Sequence, residues 1–182
     1  MSKRSDDIEK GTILDSSAKA VARLLSKKAI SEITVKELCA EAGISRMTYY
    51  RNFSSIEDIL KKYLVKQTER FKKEVMKEER FGSYIRRENI LIGFRYLKEN
   101  SDLILCMLNQ NLGDLLRNNM VQEELNLSYR SQCSEEDRYI TVAYANTLFG
   151  IYTTWLKDGM KESPEKLTDL ILDLFQSRLR RY

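Results

Sequence analysis

The chain has 182 residues, of which 42% are hydrophobic and 32% are charged, with one proline and seven glycines. This composition permits a sizeable core and favours long helices over a turn-rich β sandwich or barrel. The absence of histidine excludes a Ser-His-Asp or Cys-His nucleophile and any histidine-ligated zinc site. The net charge of +4 is compatible with nucleic-acid binding but does not establish it.

The cysteines and the apolar runs of the sequence indicate the cellular compartment in which the protein is expected. Cys39, Cys106 and Cys133 are far apart and form no CxxC pair, which predicts reduced thiols and neither a disulfide framework nor a metal site. The first residues lack the apolar stretch of a signal peptide. The longest apolar run, Leu103–Leu108, is far too short to span a membrane. We therefore expect a cytoplasmic protein without a cofactor.

Apolar residues recur at three- and four-residue steps along most of the chain, which predicts an all-α protein of about nine helices. The first amphipathic helix is predicted from about residue 6 to residue 28. A short connector follows at 29–33. No alternating pattern of convincing length predicts a strand.

Two short helices are predicted next, joined by a tight turn. The pattern of Thr34–Glu37 is that of a capping box, which starts a helix over 35–42. Gly43 lies where the turn needs a positive φ. Ser45 is placed to cap a second helix over 46–52.

The rest of the chain reads as longer helices. Gly159 is placed to end one of them, and Ser163 followed by Pro164 is placed to start the last. These helices are predicted at about 56–79, 84–99, 101–109, 112–125, 134–157 and 164–181, with a break at Phe81–Ser83 and a loop at 128–134.

The two short helices around Gly43 predict a helix-turn-helix. The first is expected to turn Val35, Leu38 and Ala42 inward, and the second to present a polar outer face to the major groove of DNA. On that face a guanidinium is suited to guanine, a threonine to a thymine methyl group or a phosphate, and a tyrosine hydroxyl to a phosphate. Packing in the small core is the alternative role for the aromatic residues, and we assign it to Tyr49 but not to Tyr50.

These residues resemble the TetR family of bacterial transcriptional regulators. The resemblance begins at about Ile8, is sharpest over Ile33–Phe53 and continues to Leu60. It implies a three-helix DNA-binding domain at 1–62 and a helical domain at 63–182 that dimerises and binds a ligand. It also implies that the positions that usually meet DNA are Thr34, Lys36, Ser45, Arg46, Thr48, Tyr50 and Asn52. Met47, on the same short helix, completes the set of candidate DNA contacts.

Three positions depart from the family pattern. Lys28–Ala29 stand where a glycine usually closes the first helix, and Asn52 stands where histidine is common. Ile56 replaces a lysine that often contacts phosphate, which puts anchoring to the DNA backbone in doubt. The cations available to compensate are Lys61, Lys62 and the arm Lys3–Arg4.

The C-terminal part is similar to a Firmicutes-type subgroup of the family over Leu148–Gly159 and Ser163–Leu167. The resemblance implies that the last two helices form a four-helix bundle across a two-fold axis. An intramolecular core is an equal alternative for any single residue. The candidate interface residues are Ile140, Ala143, Thr147, Ile151, Leu167, Leu170, Ile171 and Leu174.

The leading hypothesis is a homodimeric repressor that binds a palindromic operator and is released by a small molecule. The alternative is a helix-turn-helix co-regulator whose C-terminal domain binds a protein. An enzyme is not expected, because adjacent acid pairs on helices point apart and no phosphate-binding loop follows a strand. Candidate ligand-binding residues, for each of which a core role is the alternative, are Phe94, Met107, Tyr144, Tyr152 and Trp155.

Overall fold

A computed structural model describes the backbone of residues 3–75, 85–129 and 135–179 and the side chains of residues 11–74, 85–126 and 135–175. All regular structure in these ranges is helical, as predicted, and consists of nine α-helices and a 3-10 turn at Ile30–Glu32. None of these helices is both long and apolar enough to cross a membrane. In chain order they are α1 (Lys3–Leu25), α2 (Val35–Ala42), α3 (Arg46–Asn52), α4 (Ile56–Val75), α5 (Arg87–Glu99), α6 (Ser101–Asn109), α7 (Gly113–Tyr129), α8 (Glu135–Lys157) and α9 (Pro164–Leu179).

The boundaries differ from the predictions in several described places. Helix α1 runs from Lys3 to Leu25 where 6–28 was predicted, and α5 begins at Arg87 where the helix was predicted to begin at 84. Helix α7 continues to Tyr129, so the prediction that the loop begins at Ser128 is wrong. The predicted end of the long helix near Glu79, the break at Phe81–Ser83 and the rest of the loop at 130–134 lie outside the described residues.

The chain divides into two compact units. The first contains the residues up to Gln67 together with Asp102–Gly113, and the second contains Thr68–Ser101 together with the residues from Asp114 onward. A single boundary at residue 62, as expected from the sequence, therefore differs from this division. Most of α6 belongs to the first unit although it lies far along the chain.

The core of the first unit combines α1, the short helices, the first part of α4 and α6. Its fully buried residues include Val21, Leu38, Ile59 and Met107. The amide of Gln110, just after α6, donates to the carbonyl of Leu25 at 3.2 Å. This bond satisfies one of the carbonyls that a helix C-terminus leaves without an intrahelical partner.

The second unit is built from α5, α8 and α9, which all contact one another. The ring of Phe94 meets that of Tyr152 edge to face at a centroid distance of 4.6 Å and that of Trp155 at 5.0 Å. Such pairs add about 0.5–1.5 kcal/mol beyond the area that they bury. The Trp155 indole also donates to the carbonyl of Glu162 at 2.8 Å, which ties the connection between α8 and α9 to the core.

Close approach of α5 and α8 depends on a glycine. A Cβ atom at Gly93 would lie 2.4 Å from the hydroxyl oxygen of Tyr152 and 3.1 Å from its Cζ. The Tyr152 hydroxyl donates to the carbonyl of Ile90 at 3.1 Å. Because Phe94 also contacts this ring, the tyrosine has little freedom to move away.

We predict that Gly93→Ala lowers the free energy of unfolding by about 1–3 kcal/mol, the usual cost of overpacking a core. The loss is expected although alanine is the better helix former by about 1 kcal/mol. Urea denaturation of the variant and the parent chain measures it.

The control is the same substitution in a Tyr152→Phe background, where the closest clashing atom is absent. Gly93→Ala should cost less there than in the parent chain. An equal cost in both backgrounds would show that the tyrosine hydroxyl is not the obstacle.

Candidate DNA-binding surface

Helix α2 begins at the predicted capping box. The Thr34 hydroxyl oxygen accepts from the amide of Glu37 at 3.2 Å, and the Glu37 carboxylate accepts from the amide of Thr34 at 2.9 Å. The same carboxylate accepts a hydrogen bond from the Lys28 ammonium at 2.7 Å. Bonds from Lys28 and then from Thr34 lower the pKa of Glu37 to about 2. The start of α2 is therefore fixed by charge-assisted hydrogen bonds.

The turn between α2 and α3 has the predicted geometry. Gly43 has a φ of 68°, in the left-handed region that favours glycine. The amide of Ile44 donates to the carbonyl of Cys39 at 3.0 Å. This bond joins residues that are five apart in sequence and closes the helix end in a Schellman arrangement.

Helix α3 has only seven residues, and caps and aromatic packing hold it. The Ser45 hydroxyl accepts from the amide of Thr48 at 3.0 Å, which confirms Ser45 as the N-cap. Tyr49 is only 2% exposed and its ring lies 5.9 Å from that of Phe53, which is also buried. Burial raises the pKa of Tyr49. The prediction that Tyr49 packs in the core is confirmed.

Four side chains make up the exposed face of α3. Arg46, Tyr50, Met47 and Arg51 follow one another in that order around about 140° of the helix, and all four are exposed. Met47 is 80% exposed and Tyr50 is 66% exposed. The Tyr50 ring contacts that of Tyr49 edge to face at 5.2 Å, so its direction is set by the core beneath it.

Arg51 was not among the DNA contacts predicted from the sequence. Its separation of four residues from Met47 places both on one helical face, and that spacing was the available signal.

The remaining predicted polar contacts on α3 are engaged within the chain. The hydroxyl oxygens of Ser45 and Thr48 lie 2.9 Å apart. The Asn52 amide donates to the carbonyl of Thr48 at 2.7 Å, and both Thr48 and Asn52 are half-buried. These residues therefore shape α3 as well as lying near its surface.

The start of α4 is joined to the end of α3 through a lysine. The Lys62 ammonium donates to the carbonyl of Asn52 at 2.7 Å and to the Asp58 carboxylate at 2.8 Å. It also lies 5.6 Å from the ring centroid of Phe53. Partial burial opposes ionisation of Asp58, but bonds from Lys62 and Ser54 outweigh it and lower the pKa of Asp58. Lys62 thus positions α3, although both it and Lys61 are exposed.

Ion pairs in this unit occupy four of the seven carboxylates whose side chains the structure describes. The described pairs are Arg23–Glu41, Lys28–Glu37, Lys62–Asp58 and Lys66–Asp15. The exposed cations on α2, α3 and the start of α4 that form no ion pair with described residues are Lys36, Arg46, Arg51 and Lys61. The side chains of the arm Lys3–Arg4 lie outside the described ones.

The comparisons with known proteins identify the family of the chain. Residues 19–63 match the family described as bacterial regulatory proteins of the tetR family, and residues 86–177 match the C-terminal region of a transcriptional regulator family. The second match spans half of the chain. The chain belongs to the TetR family. It is a DNA-binding transcriptional regulator with the helix-turn-helix and helical C-terminal region predicted from the sequence.

Three solved structures share the fold at low sequence identity. Lin0861 from Listeria innocua has a TM-score of 0.76 at 15% identity, over 93% of this chain and 92% of that one. The dihydroxyacetone kinase operon activator DhaS has a TM-score of 0.58 at 20% identity, over 93% and 97%. The fatty acid degradation regulator FadR from Bacillus halodurans has a TM-score of 0.59 at 17% identity, over 94% and 96%. No curated protein matches the chain, and membership of a Firmicutes subgroup stays a prediction.

In this TetR-family chain the candidate ligand-binding residues are not gathered in one place. Phe94, Tyr152 and Trp155 contact one another in the second unit, whereas the ring of Tyr144 contacts Phe175 at 5.2 Å. Met107 is fully buried in the first unit. Met107 therefore packs in the core of the first unit with α6, and its role in ligand binding stays a prediction.

An acid that was not predicted as a site residue, Glu124, acts electrostatically on Tyr152. Burial and the neighbouring charge of Glu123 raise the pKa of Glu124 to about 7. Burial, and then the charge of Glu124, raise the pKa of Tyr152. On the same helix Glu123 forms an ion pair with Lys72, in which both side chains are largely covered. The sequence held no signal for this, because an acid pair on a helix is usually exposed.

The candidate dimer residues fall into three groups by exposure. Leu170 and Leu174 are 49% and 55% exposed, and Ala143 on α8 is also exposed. Ile140, Thr147, Ile151 and Leu167 are half-buried. Ile171 has no exposed surface within the chain itself. It cannot offer surface to a partner, so its assignment to the interface is wrong and it is a core residue.

The capping box predicts a pH dependence of stability. The folded-state pKa of Glu37 is lower than the ordinary value of 4.5, so its stabilisation is present above about pH 4.5 and is lost as the pH falls towards 2. Glu37→Gln should be less stable than the parent chain at pH 7, and the difference should shrink as the pH falls to 3. Urea denaturation across that range measures it.

Thr34→Ser is the matched control, because a serine hydroxyl keeps the capping geometry. Its stability should follow that of the parent chain with pH. A gap between Glu37→Gln and the parent chain that is as large at pH 3 as at pH 7 would contradict the role of the carboxylate charge.

Proposed function

We propose that this regulator is a homodimeric repressor that binds a palindromic operator through α3 and is released by a small ligand bound in its C-terminal region. The observation that carries the proposal is the exposed face of α3. Two guanidinium groups, a phenol and a thioether project from a helix whose opposite side is anchored by buried aromatic rings. A helix of this kind suits the major groove, where guanidinium groups pair with guanine edges.

We assign the candidate DNA contacts to two roles, contact with base edges and contact with phosphates. We propose that Arg46 contacts base edges, together with Ser45, Thr48 and Asn52 where their internal bonds permit. Tyr50, Thr34 and Lys36 are assigned to phosphates. Contacts to phosphate position the protein, and contacts to bases specify the sequence.

Selection of bound sequences from random duplex DNA tests the function, with a palindrome as the expected product. We then predict that Arg46→Ala reduces the ratio of operator affinity to random-duplex affinity, since a good base contact contributes about 1–3 kcal/mol of discrimination. Fluorescence anisotropy on both duplexes measures the ratio.

Lys61→Ala is the charge-matched control, because it removes one exposed cation outside α3. Its losses should be equal on both duplexes. Tyr50→Phe should behave like this control. An unchanged ratio in Arg46→Ala would remove this arginine from base reading.

Dimerisation follows from the geometry of a palindrome. Two recognition helices must reach half-sites about 34–36 Å apart, and one short helix offers little affinity alone. Helix α9 buries Thr168 and Ile171 on one side and exposes Leu170 and Leu174 on the other. On α8 the exposed Ala143, Gly150 and Thr154 form a stripe of small residues, where a second helix can approach closely.

We predict that the double substitution Leu170→Lys and Leu174→Lys gives folded monomers with greatly weakened operator binding. Two charged side chains in an apolar contact cost several kcal/mol unless they are paired. Sedimentation velocity measures the mass, and circular dichroism verifies that the helices persist.

Glu165→Lys provides the control, since this exposed residue lies on the opposite side of α9. It should remain dimeric. A folded double variant that is still dimeric would place the interface elsewhere.

Release by a ligand requires a route from the C-terminal region to α3. The chain passes from one compact unit to the other within α4, at the start of α6 and at the start of α7. We propose that a mostly apolar or aromatic molecule binds near Phe94, Tyr144, Tyr152 and Trp155 and favours a state that is incompetent for DNA. The ligand must bind that state more tightly than the competent one, since equal affinities shift nothing.

We predict that operator DNA weakens the binding of such a ligand by about 5- to 150-fold, the range of typical coupling energies. Linkage is reciprocal, so the ligand weakens operator binding by the same factor. Calorimetry with and without saturating operator measures the affinity of a compound found by thermal-shift screening.

Equal affinities for a compound that binds the C-terminal region would favour the second candidate, a co-regulator controlled by a protein. The mutual packing of the Phe94, Tyr152 and Trp155 rings favours that candidate, because these rings contact one another instead of surrounding a space. The likeness to DhaS, named an operon activator, is a reason to test activation as well as repression.

A further inference from the structure

Met47 is the most exposed of the large apolar side chains identified as exposed in the described part of the chain, at 80%. A single surface methionine needs no explanation by itself. Its position does, because it lies between Tyr50 and Arg51 on the α3 face that meets the groove. Neither packing nor a cap explains the choice of an apolar residue there.

Thr48, the residue that the sequence predicts to contact a thymine methyl group, is engaged within the chain. The Thr48 side chain is half-buried, and its hydroxyl contacts that of Ser45 at 2.9 Å. Thr48 also lies outside the arc of the four exposed residues when the helix is viewed down its axis. The apolar atoms that project freely from α3 are therefore those of Met47 and the ring of Tyr50.

The edges of base pairs in the major groove are polar with one exception, the C5-methyl group of thymine. A methionine side chain is unbranched and polarisable, so it adapts its shape to a small apolar partner. Arg51, one helical turn further along the same face, is available to a neighbouring base or phosphate.

We propose that Met47 is a specificity-determining residue whose side chain packs on the methyl group of one thymine in each operator half-site. This inference rests on the proposed docking of α3 in the major groove. It goes beyond the proposed function because it requires that each half-site contains a thymine whose methyl group contributes to affinity.

The test uses the full-length protein and the operator obtained by selection. Each thymine in turn is replaced by deoxyuridine at symmetric positions, which removes the methyl group and leaves the hydrogen-bonding edge unchanged. At one thymine position the replacement should weaken binding about fourfold per half-site, which is the size expected for the loss of one buried methyl group. In Met47→Ala the same replacement should have no effect, whereas in Met47→Leu the penalty should persist.

Lys61→Ala serves as the control, since it lies outside α3 and should retain the full deoxyuridine penalty. Met47→Ala should fold normally because the side chain is exposed, and its circular dichroism verifies this. The inference is overturned if no thymine shows a penalty, if the half-site contains no thymine, or if the penalty persists in Met47→Ala. Selection that returns no defined palindrome is a separate result and would overturn the proposed docking itself.

Discussion

A helix of seven residues is too short to be stable in water without support, and the recognition surface of this protein depends on how that limit is overcome. Ser45 caps the first turn of α3, and Tyr49 and Phe53 anchor its inner side in the core. Lys62 holds its last carbonyl from α4. Each support lies on the inner side or at an end of the helix, so the outer face carries no structural duty and its residues are free to meet DNA.

The sequence predicted best where the controlling interactions are local. A capping box spans four residues and a Schellman turn spans six, so the bounds of α2 and α3 and the positive φ of Gly43 followed from the chain alone. The inward side of α3 was also predictable, since Tyr49 and Phe53 are four residues apart. The exposed face needed the structure, because only burial and hydrogen bonding distinguish a free Met47 from an engaged Thr48.

The features that the sequence did not reveal depend on contacts between distant segments. Met107 belongs to an apolar helix, but nothing local shows that α6 packs in the first unit beside the residues before Gln67. Ile171 lies in a helix with apolar residues on two sides, and periodicity does not tell which side faces the core of the same chain. Glu124 gives no local signal either, since its raised pKa arises from burial that depends on the packing of α7.

The ion pairs of the first unit affect the charge presented to DNA more than they affect stability. Exposed ion pairs add little to stability, about 0–1 kcal/mol each, so Arg23–Glu41 and Lys66–Asp15 are not what holds the fold together. They do neutralise carboxylates that would otherwise repel phosphate. Exposed cations that form no ion pair with described residues include Lys19 and Lys27 and, on α2, α3 and the start of α4, Lys36, Arg46, Arg51 and Lys61. On those three elements only one described carboxylate, Glu57, forms no ion pair with described residues, so the local charge near α3 is positive. Charge concentrated in this way steers a polyanion such as DNA towards one face, and in the proposed mode of binding the fixed outer side of α3 then determines which bases are read.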